Sequence, residues 1–422
     1  MDKDSVCKGR FSDVSRSLIV VALAAFLLKI AIALFTYGSV DVLLFEADLT
    51  KIRRDGAAAL YRDGVSTRWC GQVGQAPCPP FIHPPFVIHA LEGWGLLSRM
   101  TGLPLGFWLR FTCAVADVGS LALLVLILSS PEQKRRTRIA LLFFAGSPIS
   151  ILVSGFHGNT DPILIFLTLL SIHLLESRRP AWHAGVALGM AAAIKIVPVL
   201  LGPIAVLSLL GLHRKFQFVV GATFAFFTSS LPFLVTDPEL VVTRVFGYGS
   251  SQFGSWGLSL LAVASQESTR LVWMYSAYSK YGKVISLCLV LGASLWLSSR
   301  SREAALFYRA GFLMFLFVSS IPGFGVQYLS WLVPWVVALG AWPTATYYMA
   351  GAVFMGFYYH AAAGTFPWHF ANGLARSPWT NAVIGLGLIC WVVVCCNTLV
   401  YARRLLARRS TLLQQRASPR LV

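Results

Sequence analysis

Residues 17–37 read SLIVVALAAFLLKIAIALFTY and carry a single charge, Lys29. A helix rises about 1.5 Å per residue and the hydrocarbon core of a bilayer is about 30 Å thick, so this run is long enough to cross a membrane. Its apolar core is too long for a typical secretory leader, and no small-x-small cleavage site follows, so it is expected to stay as an anchor with the N-terminus in the cytoplasm. Comparable runs recur at 105–129, 138–154, 161–177, 216–235, 281–299, 304–321, 326–342, 344–363 and 379–401. They are continuous rather than alternating, which argues against a β-barrel. The expected fold is an all-α polytopic transmembrane helical bundle with about ten full spans in one integrated domain, 1–422.

Composition agrees. The chain has 422 residues, 56% of them hydrophobic and 12% charged, against about a quarter charged in a soluble domain. Its mean hydropathy is +0.69. The net charge of +18 invites a nucleic-acid partner. The basic residues, however, sit in short loops: Lys134-Arg135-Arg136, Arg178-Arg179, Arg214-Lys215, Arg300 and Arg302, Arg403-Arg404 and Arg408-Arg409. That is the positive-inside pattern of a chain whose partner is a lipid bilayer, with both termini cytoplasmic. There is no P-loop or dinucleotide fingerprint, so no nucleotide partner is expected.

The charge map places residues 38–104 outside. An amphipathic stretch, 42–61, is expected on the membrane surface. A turn-rich region follows and ends in His83-Pro84-Pro85. It contains Cys70 and Cys78, which can close a disulfide if the loop faces an oxidising compartment. Cys113, Cys288, Cys390, Cys395 and Cys396 lie in apolar segments. The run 86–98 is too short to span and is expected to be interfacial or re-entrant. Segment 183–210 is basic at both ends, and its middle reads Ile194-Lys195-Ile196-Val197-Pro198 with Pro203 beyond. Proline breaks helices and lysine is costly in mid-membrane, so two half-helices with Lys195 near the tip of a hairpin are expected. An outer segment, 236–280, is rich in Gly, Ser, Tyr and Trp, and within it the glycine- and aromatic-dense stretch Arg244 to Gly257 reads as a flexible lid.

The polar residues that can do chemistry converge on the outer side. Asp41, Glu46 and Asp48 form an acidic cluster after the first span, in a chain poor in acid. Asp41 is the candidate general base and Glu46 a supporting acid; the competing reading is a solvated helix exit. His157-Gly158-Asn159-Thr160-Asp161-Pro162 has two readings. Asp161 can be an N-cap with Pro162 as first helical residue, or His157 and Asn159 can face a sugar or phosphate at that helix start. Arg110 and Asp117 can pair with each other or with Lys29. Lys195 has no acid nearby in sequence; a lipid-linked phosphate and a distant ion-pair partner both remain open. Arg244 is a second candidate cation. Candidate sugar contacts are His83, His157, Asn159, Asp161, Tyr248, Trp256, Gln327 and Tyr328, with interfacial belt residues as the bland reading of the aromatics.

Gly38-Ser39-Val40-Asp41-Val42, His83-Pro84-Pro85, Ser154 to Pro162, Ile194 to Pro198, Trp256-Gly257 and Val326-Gln327-Tyr328 occur in that order. Together they resemble the GT-C superfamily, more narrowly the bacterial polyprenyl-phosphate-mannose-dependent mannosyltransferases of glycosyltransferase family 87 and relatives. The resemblance implies a multi-pass protein of the bacterial cytoplasmic membrane with its active site facing outward. It implies a polyprenyl-phosphate sugar donor, a glycolipid or glycan acceptor, inversion at the anomeric carbon, and Asp41 as catalytic base. The loop lacks the Asp-x-Asp pair of some GT-C branches, so no metal or other cofactor is expected. A transporter or flippase is the alternative of another class, and a non-catalytic assembly subunit a third. Transporters often carry paired halves, and no second Asp41-like loop or Lys195-like hairpin is present.

Overall fold

The computed structural model describes residues 16–65, 81–128, 134–247, 256–259, 269–300, 304–373 and 375–417. In chain order, α1 spans Arg16–Phe35, α2 Val40–Asp55, α3 Ala57–Asp63, α4 Phe86–Thr101, α5 Leu105–Leu128 and α6 Lys134–Ala145. A single turn, Pro148–Ile151, runs into a π-helical turn, Leu152–His157. Then come α7 (Asp161–Glu176), α8 (Ala181–Ile194), α9 (Gly202–Ser208), α10 (Leu212–Thr236), α11 (Pro238–Gly247), α12 (Thr269–Arg300) and α13 (Leu306–Ser320). The last two long helices are α14 (Ala341–Ala363) and α15 (Asn381–Ala417). Two residues of strand, Gly38–Ser39 (β1), pair in parallel with Phe370–Ala371 (β2), a feature that the all-helical expectation omitted.

The protein is a multi-pass membrane protein. Six helices among the described residues are long and apolar enough to cross: Arg16–Phe35, Leu105–Leu128, Thr137–His157, Leu212–Thr236, Val272–Arg300 and Asn381–Ala407. Asp161–Glu176 and Leu306–Ser320 are apolar but shorter. The run 326–342 is not one helix. It divides into a 3₁₀ stretch, Val326–Leu332, a single α-turn, Val333–Val336, and a further 3₁₀ turn, Val337–Leu339. Apolar composition alone does not reveal such winding, because hydropathy is blind to hydrogen-bond register.

Segment 183–210 breaks as its prolines require. Helix α8 ends at Ile194, Lys195 is extended, and a 3₁₀ turn over Val197–Leu201 leads into α9. Helix α8 packs on α7 and α10, whereas α9 packs on α12 and α13. Gly189 of α8 lies against the Ala222 backbone of α10, so close that a Cβ there would collide with the Ala222 carbonyl. Small residues let helices approach in lipid, where packing must replace the hydrophobic drive.

One face of α1 is exposed and wholly apolar, with Ile19, Val20, Leu23 and Leu27 on it, as a lipid-facing surface requires. Lys29 points the other way and is buried. Its Nζ lies 2.6 Å from Asp117 Oδ2 of α5 and 2.8 Å from Ser150 Oγ. Ser150 and Ser154 also donate to Asp117 Oδ2. Arg110 therefore has no share in that pair. Its guanidinium instead satisfies the end of α1, donating to the Ala33 carbonyl (3.1 Å), the Thr36 carbonyl (2.9 Å) and Thr36 Oγ1 (2.9 Å). The last carbonyls of a helix have no partner within it, so Arg110 caps the helix just ahead of Asp41.

Candidate active site

Asp41 stands in the first turn of α2. Ser39 is the N-cap: its Oγ accepts from the Asp41 backbone N–H (3.1 Å) and donates to the His157 carbonyl (2.6 Å). One hydroxyl thus ties the start of α2 to the end of the π turn. Gly38 has φ +106°, and a Cβ there would sit 2.6 Å from the Phe156 carbonyl oxygen, so only glycine allows this approach. Gly158 closes the π turn at φ +76°, where a Cβ would collide with Val42. These two contacts bring segments 116 residues apart in sequence together.

The side chains then meet. His157 Nε2 lies 3.0 Å from Asp41 Oδ2, and Asn159 Nδ2 donates to the same oxygen at 2.5 Å. Lys195 Nζ donates to Asn159 Oδ1 (3.5 Å) and to Asp161 Oδ1 (2.7 Å). Trp331 Nε1 also donates to Asp161 Oδ1, at 2.8 Å. The ammonium lies 5.1 Å from the Tyr328 ring centre and 5.4 Å from that of Trp331, within cation–π range. Asn159 therefore bridges acid and cation, one amide end on each. Asp41 keeps 22% of its side chain exposed while His157 keeps 5%, so Asp41 is the member that can meet a ligand.

Burial opposes ionisation of Asp41. The imidazole of His157, the hydrogen bonds from it and from Asn159, and the charge of Lys195 outweigh it and hold the carboxyl below the usual carboxylate range. At neutral pH Asp41 is a carboxylate ready to accept a proton. His83, outside the helices, is brought down to about 3, chiefly by burial and then by the charge of Lys195, against the opposing pull of Asp41 and a hydrogen bond to the Ile194 backbone. It stays neutral beside the cluster.

Several expectations need correction. Asp161 is not the N-cap of α7: Thr160 occupies that position without a side-chain bond, and Asp161 begins the helix with its carboxyl turned to Lys195 and Trp331. The distant ion-pair partner left open for Lys195 is Asp161. An ammonium has three donors, and two are used here. The acidic cluster also separates. Glu46 accepts from Tyr37 Oη at 2.5 Å, away from Asp41. Asp48 is 5% exposed with no hydrogen bond among the described residues. Trp256 is fully buried; its N–H donates to the Val318 carbonyl and its ring stacks on Phe324 at 3.9 Å, so it is a packing residue. Arg244 donates to the Tyr61 carbonyl (3.3 Å), tying α11 to α3. Gln327 is half-buried at the start of the 3₁₀ stretch that carries Tyr328 and Trp331. Tyr248, Cys70 and Cys78 lie outside the described residues. Among the described residues no three His, Cys, Asp or Glu side chains cluster as metal ligands would.

Burial alone pushes the Asp48 carboxyl up to about 8, so the fold favours its protonated form. The stability this provides is complete below the ordinary carboxylate range and is lost as pH rises towards 8. Asp48→Asn carries no charge and escapes that loss. Relative to the wild type it is expected to gain on the order of 3 kcal/mol between pH 5 and pH 8. Thermal unfolding in detergent across that range checks this, and parallel pH dependences in the two proteins would refute it.

The sequence reading missed Tyr359, and it took the stretch Gln327 to Trp331 as a source of sugar contacts without foreseeing the bond from Trp331 to Asp161. Tyr359 Oη lies 2.9 Å from His157 Nδ1, and Tyr359 is fully buried in α14. Tyrosine in an apolar run reads as packing, and nothing in the local sequence marks it otherwise.

A family model described as Glycosyltransferase family 87 matches residues 81–322, more than half of the chain. The match includes His157, Asn159, Asp161 and Lys195; Asp41, Trp331 and Tyr359 lie beyond it. No curated protein matches the chain.

Proposed function

The chain belongs to glycosyltransferase family 87, and from that premise we propose that it moves a hexose, with mannose the first candidate, from a polyprenyl-phosphate donor to a hydroxyl of a glycolipid or glycan at the outer face of the cytoplasmic membrane. The observation that carries this reading is the join through Asn159: an ionised carboxylate with an open face on one side, a lysine with a spare donor on the other. Base and phosphate cation are what such a displacement needs.

In this mechanism the acceptor hydroxyl approaches Asp41, which takes its proton. The acceptor oxygen attacks the anomeric carbon, forming the new glycosidic bond. The bond from that carbon to the phosphate oxygen breaks on the opposite face, so the configuration inverts. Polyprenyl phosphate leaves with the bonding pair, and Lys195 stabilises the charge that develops there. His157 and Asn159 hold Asp41 in place, and Tyr328, whose ring centre lies 5.1 Å from Lys195 Nζ, is assigned with His83 to contact the transferred sugar.

The test is to incubate purified protein with a panel of polyprenyl-phosphate hexoses, nucleotide hexoses and a membrane lipid extract, and to follow products by mass. Transfer from a lipid-phosphate hexose, with no transfer from any nucleotide hexose, is the expected result. Transfer from nucleotide sugars only would overturn the donor assignment. The sugar that supports transfer fixes the hexose.

A further inference from the structure

The hydrogen bonds around His157 decide where its protons are. Its ring lies between two partners, Asp41 Oδ2 at Nε2 (3.0 Å) and Tyr359 Oη at Nδ1 (2.9 Å). An ionised carboxylate only accepts hydrogen bonds, so Nε2 must carry the proton that points at Asp41. Nδ1 then has two options. If it is also protonated it donates to Tyr359 Oη, and the tyrosine hydrogen has no acceptor among the described residues, in a side chain that is 0% exposed. If it is bare, the tyrosine donates to it and every group is satisfied. Leaving a buried donor unmet costs about 1–3 kcal/mol.

We propose that Tyr359 is a positioning residue: it donates to His157 Nδ1, fixes the ring as the neutral Nε2–H tautomer, and so keeps Asp41 an effective base. This rests on the reading of Asp41 as the base. The charged and titratable groups around the pair are Asp41, Asn159-bound Lys195, its partner Asp161, neutral His83, and Tyr358 beside Tyr359. Burial raises the affinity of Asp41 for a proton, and a charge on His157 is the largest of the influences that lower it. With the imidazole neutral that influence is absent. The carboxylate then keeps more of its affinity for the acceptor proton while both hydrogen bonds still hold its orientation. Tyr359 thus acts on the reaction through His157 and touches neither substrate.

The experiment has two arms on the full-length purified protein. The first records ¹⁵N-histidine NMR spectra near neutral pH, with His157→Gln identifying the signal of His157. The expected wild-type signature is a bare Nδ1 and a protonated Nε2. An Nδ1–H tautomer or an imidazolium overturns the proposal, and this arm needs no activity. The second compares Tyr359→Phe with the wild type. Turnover is expected to fall by about tenfold to a hundredfold, with KM and thermal midpoint little changed, and the His157 signal to lose its single-tautomer form. Unchanged turnover overturns the proposal. If Asp41→Asn retains transfer, the base reading itself fails, and the wild-type spectrum still reports the tautomer separately.

Discussion

Lys195→Met is expected to destabilise the protein by about 3–5 kcal/mol and to remove transfer, because it leaves a buried carboxylate without its counter-charge. Asp161 is 0% exposed, its Oδ1 receives Lys195 and Trp331, and its Oδ2 has no partner among the described residues. Among the described residues Lys195 is the only cation in an ion pair with Asp161. A structural ion pair and a phosphate-binding cation predict the same single-variant result, so the double variant Lys195→Met/Asp161→Asn separates them. It removes both charges and keeps an acceptor for Trp331. Thermal unfolding in detergent should show most of the lost stability restored. Transfer should stay down by about a hundredfold or more, since no cation remains to meet the leaving phosphate. A double variant that is both stable and fully active would reduce Lys195 to a structural partner of Asp161.

Much of the fold was legible because it depends on composition and charge. The apolar run 17–37 becomes α1 over Arg16–Phe35. Most of the basic residues sit at helix ends rather than in loops: Lys134 opens α6, Arg178-Arg179 join α7 to α8, Arg214-Lys215 lie in the first turn of α10, and Arg300 ends α12. The break at Lys195 was legible from Pro198 and Pro203, which cannot continue a helix. Grouping Asp41 with His157 and Asn159 followed from the charge map, which put both segments on one side. The Lys195–Asp161 pair was not legible, since the partners lie 34 residues apart on different elements. Neither was the fate of the other acids. From Asp41 to Glu46 a helix turns through about 500°, leaving them about 140° apart. Asp48 returns to the face of Asp41 but two turns away, in a buried position. Trp256 was misread because glycine-rich surroundings suggested an open lid, whereas the ring fills a packed slot against Phe324. Tyr359 shows the limit most clearly: its hydroxyl matters only through a contact 202 residues away.

Asp41→Asn is the second large effect. Asparagine keeps the size of the side chain and an oxygen that can accept from Asn159 and His157, so α2, its Ser39 cap and the π turn should stay in place. It cannot take a proton from a hydroxyl. Loss of a general base typically costs about 10²–10⁴ in rate. The variant should therefore insert, elute and unfold like the wild type and bind the donor with similar affinity, while turning over at least a hundredfold more slowly.

The most direct measurement is the rate of hexose transfer from polyprenyl phosphate to a lipid acceptor by wild type and Asp41→Asn side by side, normalised to folded protein. Inverted product from the wild type and a variant rate at least about a hundredfold lower is the predicted result. Near-equal rates, or a product that retains the donor's anomeric configuration, would contradict Asp41 as the base.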